Sequence, residues 1–366
     1  MKEIKVALDK RSYKIFVGSN ALSTLGQRLK RLAIGEDAVV ITNAKIKRLL
    51  GVRVQKLLSR SGFSVRFELV PDTEKSKSQL CAFKVINAIA RFDVKKRIFV
   101  IVLGGGVVGD LGGFVAAIYK RGVSYVQIPT TLLAQVDSAI GGKVAIDLDN
   151  GKNLAGAFYQ PRAVVSDVGV LSTLSRKQIR AGLAEVIKYA VIKDRFLFDF
   201  LERNAERIMK LDKKMLEFIV CRCSAIKARI IEVDERETKG IRTILNYGHT
   251  IGHAIEAAGK YGLYNHGEAV SIGMMCAADI AVRLGLLQDV QNKRINSLLS
   301  AVGLPTRCKG VTAKKILSVY QHDKKFINKK NRFVLPTAIG KVVVYEAVPQ
   351  DIVREVVVGR IEKKRY

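Results

Sequence analysis

Residues 245–256 read Leu-Asn-Tyr-Gly-His-Thr-Ile-Gly-His-Ala-Ile-Glu and hold two of the chain's four histidines, His249 and His253. Side chains four apart stack on one side of a helix, so both imidazoles can address one site. A third, His266, follows in Tyr264-Asn265-His266-Gly267-Glu268. Neutral imidazole is the commonest metal ligand and the side chain that titrates near neutrality, so the cluster points to metal or acid–base chemistry. The plainer alternative is a helix that packs or exposes two histidines. Glu185, in Gly182-Leu183-Ala184-Glu185-Val186-Ile187-Lys188-Tyr189, falls in an apolar helical stretch where a charge is unusual. Buried carboxylates are paired or metal-bound, so Glu185 is a candidate third ligand for a two-histidine site, with Lys188 one turn on. A surface ion pair between Glu185 and Lys188 is the competing reading. A Glu/His/His set with an open position is a catalytic zinc arrangement.

Two further stretches suit anionic ligands. The apolar run 97–103 ends in Gly104-Gly105-Gly106-Val107-Val108-Gly109-Asp110, which fits G-x-G-x-x-G through Gly104, Gly106 and Gly109. Glycines let the backbone approach a phosphate, and a following helix N-terminus offers unpaired N–H groups. The stretch departs from the usual dinucleotide fingerprint, because no acid follows about twenty residues later. A Pro129-Thr130-Thr131 turn offers hydroxyls and N–H groups, and Lys143 and Lys152 each follow glycine in what read as polar loops. Exposed loop lysines with no ligand are the alternative for both.

The elements that position these residues change character along the chain. Up to about residue 165, β-branched runs at 4–8, 14–17, 38–42, 64–70, 97–103, 125–129 and 163–167 alternate with helical periodicity, as at 43–60 and 75–92. That alternation predicts a parallel sheet with crossover helices. Beyond about 171, apolar residues recur every three or four positions, predicting helices at 176–193, 195–210, 213–232, 249–258, 268–284 and 287–302. Segments 332–335 and 341–345, around Pro336 and Gly340, predict a small hairpin.

Composition bounds the function classes. A chain of 366 residues with 48% hydrophobic content suits two domains of a folded enzyme. Its 63 basic and 33 acidic residues give a formal charge of +30, but the lysines and arginines are scattered and no aromatic-interleaved stripe reads as a base-stacking platform. We therefore expect a basic surface, part of it lining an anion cleft, with no nucleic-acid partner. Five cysteines, at 81, 221, 223, 276 and 308, form no CxxC pair, which suits a reducing cytoplasm. The start alternates charged and apolar residues like a strand, unlike a signal peptide, and the apolar runs are too interrupted by charge to span a bilayer, so no membrane partner is expected.

Taken in order, the motif at 104–110, Tyr119-Lys120-Arg121-Gly122, Pro-Thr-Thr-Leu-Leu-Ala-Gln-Val-Asp-Ser from 129, Gly151-Lys152-Asn153-Leu154, Ala184-Glu185-Val186-Ile187-Lys188 and the 245–256 stretch resemble the 3-dehydroquinate synthases. The likeness runs on to Asp323-Lys324-Lys325 and Val334-Leu335-Pro336. It implies an α/β Rossmann-like N-terminal domain, residues 1–168, holding NAD. It also implies a mainly α-helical C-terminal domain, residues 169–366, holding one divalent metal, zinc or alternatively cobalt. Substrate would lie between them, in a homodimer.

Carried over by position, the resemblance makes Glu185, His249 and His266 the metal ligands and turns His253 towards substrate. Asp137, Lys143, Asn153, Lys188, Arg242, Asn246, His253 and Lys324 would line the substrate, and Arg121 would reach a phosphate across a dimer interface. NAD would meet Glu74, Lys77, Gly105, Gly106, Val107, Gly109, Asp110, Thr130, Thr131, Lys143 and Lys152. Two positions depart from the family pattern: Thr73 stands where glycine is usual, and Asn43 follows the strand ending near Thr42 where an acid often meets the adenosine ribose.

The implied activity is that of a lyase of the shikimate route to chorismate and the aromatic amino acids. A phosphorylated sugar acid, 3-deoxy-D-arabino-heptulosonate 7-phosphate, would be transiently oxidised by NAD, lose phosphate by elimination, be reduced again and close by an intramolecular aldol step to 3-dehydroquinate. Alternatives are another sugar-phosphate cyclase, whose substrate lacks the carboxylate that Arg242 and Asn246 suit, and an NAD- and metal-dependent polyol dehydrogenase, which would not need this set of loop lysines.

Overall fold

The computed structural model describes residues 1–95, 97–321 and 331–362. The β-branched runs form one seven-stranded sheet: β1 (Lys2–Val6), β2 (Tyr13–Gly18), β3 (Asp37–Thr42), β4 (Ser64–Leu69), β5 (Ile98–Gly104), β6 (Tyr125–Pro129) and β9 (Ala163–Asp167). Their order is β1-β2-β9-β6-β5-β3-β4, with only β1 and β2 paired antiparallel. Every residue of β5 is buried, as expected of a parallel strand covered on both faces, which is why its sequence is a continuous apolar run. The connection from β3 runs to β4 on one side, whereas that from its neighbour β5 runs to β6 on the other. In such sheets the crevice beyond the carboxyl ends of the two strands flanking the reversal is the ligand site. Thr42 at the end of β3 closes that point by donating its hydroxyl to the carbonyl of Leu103, 2.7 Å away.

Helices α1 (Leu25–Leu32), α2 (Ala44–Ile46), α3 (Val52–Ser59), α4 (Gln79–Phe92) and α5 (Gly106–Ile118) cover the sheet. The single helix predicted at 43–60 is interrupted by a π turn at Lys47–Gly51, and the one predicted from 75 starts at Gln79, where the Ser78 hydroxyl caps it. A larger correction concerns Lys143 and Lys152. They lie in strands, not polar loops: β7 (Lys143–Leu148) and β8 (Gly151–Phe158) form an antiparallel hairpin. The intervening Asp149-Asn150-Gly151 carries the Asn-Gly signal of a tight hairpin turn, and Val144, Ile146 and Leu148 alternate as a strand requires.

The remaining helices are α6 (Arg176–Lys193), α7 (Arg195–Met209), α8 (Lys213–Val233), α9 (His249–Ala258), α10 (His266–Arg283), α11 (Asp289–Ala301), α12 (Ala313–Gln321) and α13 (Gln350–Gly359), with the predicted hairpin as β10 (Arg332–Ala338) and β11 (Lys341–Glu346). The last two helices escaped the periodicity reading. The chain divides into two compact units: Met1–Leu174 with Leu216–Arg236, and Ser175–Met215 with Glu237–Tyr366. Most of α8 thus belongs with the sheet. No helix among the described residues is long and apolar enough to cross a membrane.

Candidate metal centre and cofactor loop

In the second unit, three helices bring Glu185, His249 and His266 together. One donor atom from each lies within 4.8 Å of the others. Glu185 sits in mid-α6 with no exposed surface, and its partner Lys188, one turn on, is equally deep. The pair is therefore a buried ion pair, not the surface one considered above. His249 opens α9, with Nδ1 3.1 Å from the Tyr247 carbonyl and Nε2 3.6 Å from Glu185 Oε1. His266 opens α10, with Nε2 3.4 Å from Glu185 Oε1 and Nδ1 3.4 Å from Glu256 Oε2.

The two imidazoles are driven in opposite directions. Burial, then the Lys188 charge, pushes His249 down to about 3, which keeps a lone pair available. Burial also acts to lower His266, but hydrogen bonds and charge from Glu185 and Glu256 outweigh it and raise this imidazole to about 10. His253 is exposed and stands edge-on to His249, ring centroids 5.2 Å apart. The i, i+4 spacing thus put both histidines near one place without making them equivalent.

The start of α10 is set locally. Asn265 Oδ1 accepts from the Glu268 N–H at 2.9 Å and Glu268 Oε2 accepts from the Asn265 N–H at 2.9 Å, a reciprocal capping box. Asn265→Ala is expected to lower unfolding free energy by about 1 kcal/mol, read from the urea midpoint. An unchanged midpoint would show that packing, not the cap, fixes the helix start. Of the other predicted substrate residues in this unit, Arg242 is buried with Nε 3.2 Å from Glu237 Oε1, and Asn246 is exposed at the end of the same Ile241–Asn246 turn. Lys324 lies outside the described residues.

In the first unit, the glycine loop lies at the strand reversal. β5 ends at Gly104, Gly105 is extended, and α5 begins at Gly106. The first N–H groups of α5, at Gly106 and Val107, therefore open at the crevice. Gly109 takes its place within the first turns of α5, its N–H donating to the Gly105 carbonyl at 2.9 Å. Thr130 donates its N–H to the Gly104 carbonyl at 2.9 Å, and its buried hydroxyl has no hydrogen-bond partner among the described residues. The Thr131 hydroxyl instead accepts from the Ala134 N–H at 3.2 Å.

Beside the loop, buried Lys77 donates to Asp110 at 2.8 Å and to Asn153, and Asn153 N–H donates to Asp147 at 2.8 Å. Burial pushes the Asp110 carboxyl up, opposed by the Lys77 charge. Lys152 lies 3.2 Å from Glu74. Asn43 does not offer an acid. Its Oδ1 caps α2 and its Nδ2 donates to Asp72 at 2.8 Å. Lys143 is exposed at the head of β7, and Arg121 is exposed on the turn after α5.

Three residues in these clusters escaped the sequence reading. Lys227 of α8 is buried and contacts the carboxylate of Asp137, also reaching its carbonyl at 2.8 Å. Asp147 joins the Lys77 cluster at 3.8 Å. Glu256 binds His266 and continues the 249, 253 helical stripe. Only Glu256 carried a readable signal, its i+7 spacing from His249.

Known proteins match this arrangement along the whole chain. Residues 68–181 match the family model described as 3-dehydroquinate synthase N-terminal, and 182–326 the one described as 3-dehydroquinate synthase C-terminal. The 3-dehydroquinate synthase of Desulforamulus reducens is 46% identical over 96% of this chain and 98% of its own length. That of Nostoc punctiforme is 44% identical over 97% and 99%. Among solved structures, 2-deoxy-scyllo-inosose synthase with carbaglucose-6-phosphate, NAD+ and Co2+ shares the fold at TM-score 0.89 and 24% identity, over 98% of this chain and 100% of that one. The 2-epi-5-epi-valiolone synthase of Streptomyces hygroscopicus, with NAD+ and Zn2+ bound, gives 0.87 and 25% over 96% and 98%. With glycine loop, Glu/His/His group and full-length identity in agreement, the chain belongs to the 3-dehydroquinate synthase family.

Proposed function

We propose that the chain converts 3-deoxy-D-arabino-heptulosonate 7-phosphate to 3-dehydroquinate and phosphate, using NAD catalytically and one divalent metal, zinc or cobalt. The observation that carries this reading is the convergence of Glu185, His249 and His266 donors within 4.8 Å in a chain 46% identical to a named synthase. Two imidazoles and a carboxylate that leave a further coordination position suit a catalytic zinc, and these three residues would hold it. When bound, NAD would take up and return a hydride and the metal would lower the pKa of a substrate hydroxyl.

The chain's own groups have separate tasks. Lys188, buried with Glu185, balances its charge where solvent does not reach the pair. His253, exposed beside the histidine pair, would hold and pass a proton at the substrate. The unpaired N–H groups opening α5 at Gly106 and Val107, with Gly105 and Gly109 leaving room for close approach, would receive the cofactor pyrophosphate, and Asp110 would meet the cofactor beside them. The Thr130 hydroxyl, without a partner among the described residues, would donate to the cofactor, as would Lys77, Thr131 and Lys152 from their places around the loop, while the Glu74 carboxylate would accept from a cofactor hydroxyl. Arg121, Lys143, Arg242, Asn246 and Lys324 would orient the substrate's two anionic groups, with Asp137 and Asn153 on its hydroxyls. We further infer that residues 1–168 serve the cofactor and 169–366 the metal, and that the protein is a cytoplasmic homodimer. Exposed Arg121 would then serve a partner's site. Five free thiols support the reducing compartment.

A second reading, a cyclase for another sugar phosphate, rests on fold neighbours at 24–25% identity, well below the synthases. One assay separates them. Zinc-replete protein with NAD is expected to release inorganic phosphate from the heptulosonate phosphate, to stop with chelator and to resume on adding zinc. Release from a sugar phosphate without a carboxylate but not from the heptulosonate would establish the second reading instead.

A further inference from the structure

We propose that Glu256 is a positioning residue for the metal site: its carboxylate accepts the Nδ1 proton of His266 and so aims Nε2, the nitrogen left for a metal, at the space shared with Glu185 and His249. The inference rests on the metal reading above. Its basis is the symmetry of the two imidazoles. A backbone carbonyl can only accept, so His249, with Nδ1 3.1 Å from the Tyr247 oxygen, must carry its proton there, which leaves Nε2, 3.6 Å from Glu185 Oε1, with its lone pair for a metal. His266 repeats the arrangement with a different acceptor. Its Nδ1 lies 3.4 Å from Glu256 Oε2 and its Nε2 3.4 Å from Glu185 Oε1.

His266 needs such a fixture more than His249 does. Each opens its helix, but the His266 side chain is 34% exposed, against 11% for His249, so packing alone does not set its ring. Glu256 is placed to do so by α9 itself, seven residues after His249 and on the same face. An imidazole whose second nitrogen donates to a carboxylate has a fixed tautomer and is a more basic ligand than one bonded to water. Glu256 could alternatively bind the metal directly, since His253, Glu256 and His266 also form a group with donor atoms within 4.8 Å.

The test is zinc affinity by competition with a chromogenic chelator, on wild-type protein, Glu256→Met and Glu256→Gln. Methionine keeps the length and removes the acceptor, and the expected loss is about 10- to 100-fold. Glutamine keeps a carbonyl acceptor and is expected to restore most of the affinity, which a purely structural role would not predict. Glu256→Ala removes the same acceptor and replaces methionine should that variant not fold. The visible spectrum of Co2+-loaded Glu256→Gln should keep the wild-type coordination number. Unchanged affinity in both acceptor-free variants, or loss of a cobalt ligand in Glu256→Gln, would overturn the proposal. Wild-type protein that binds no zinc would instead overturn the metal reading itself.

Discussion

His266→Ala is expected to abolish metal binding and turnover together, whereas His253→Ala should retain a full equivalent of metal and lose turnover alone. The two histidines differ in position by one decisive distance. His266 Nε2 reaches Glu185 at 3.4 Å beside His249, while His253 lies outside the Glu185 group. Removing one of three ligands leaves a carboxylate and one imidazole, too few to hold a catalytic zinc. The several kcal/mol that a Lewis acid contributes to the transition state would go with it, a fall in kcat of roughly a thousandfold or more. Losing a proton-transfer group at His253 should cost about a hundredfold or more. Metal content by elemental analysis, measured beside steady-state rates, separates the cases. Full zinc in His266→Ala would refute the ligand set, and loss of zinc from His253→Ala would make the exposed histidine a ligand.

Much of this was legible without coordinates, for physical reasons that vary by residue. Strands such as β5 announce themselves because burial on both faces leaves an unbroken apolar run, mostly β-branched. Strand β8 does not. Its Gly-Lys-Asn-Leu-Ala-Gly-Ala-Phe has weak strand propensity and is held by pairing with β7, so Lys143 and Lys152 read as loop residues despite the Asn-Gly turn between them. Helical period placed His249 and His253 side by side, but the nearness of His266 depends on how α9 meets α10, which spacing cannot show. Motif resemblance supplied that pairing. Lys227 was missed for a related reason: a lysine in a long amphipathic helix reads as solvated, and only the packing of α8 against the sheet unit takes it to Asp137. The Glu185–Lys188 pair was weighed as a surface salt bridge because sequence carries the pairing but not the depth.

That helix junction carries the second large prediction: Gly273→Ala should destabilise the fold and loosen the metal site, while Gly359→Ala should do neither. The helices bearing the Glu/His/His group meet through glycines. A Cβ at Gly273 of α10 would lie 2.0 Å from the Gly248 carbonyl oxygen and 2.7 Å from the Gly252 nitrogen, both backbone atoms of the turn that presents His249. Backbone cannot rotate away as a side chain can, so α9 and α10 must separate. At the other contact, a Cβ on Gly267, next to His266, would lie 2.4 Å from the Ala181 backbone, one turn before Glu185. Overpacking of this kind costs about 1–3 kcal/mol, and the upper end fits a clash with fixed atoms. In a unit of this size that lowers Tm by roughly 10 °C. Ligand sets tolerate about 0.5 Å of displacement, so the same separation should weaken zinc binding at least about tenfold. Gly359, at the end of α13, would place its Cβ with nothing within 4 Å among the described residues and serves as the control. Calorimetry with and without zinc reads both effects at once: the zinc-induced rise in Tm should shrink in Gly273→Ala and persist in Gly359→Ala. A full rise in Gly273→Ala would mean that the ligands are set within each helix and not by the contact between them.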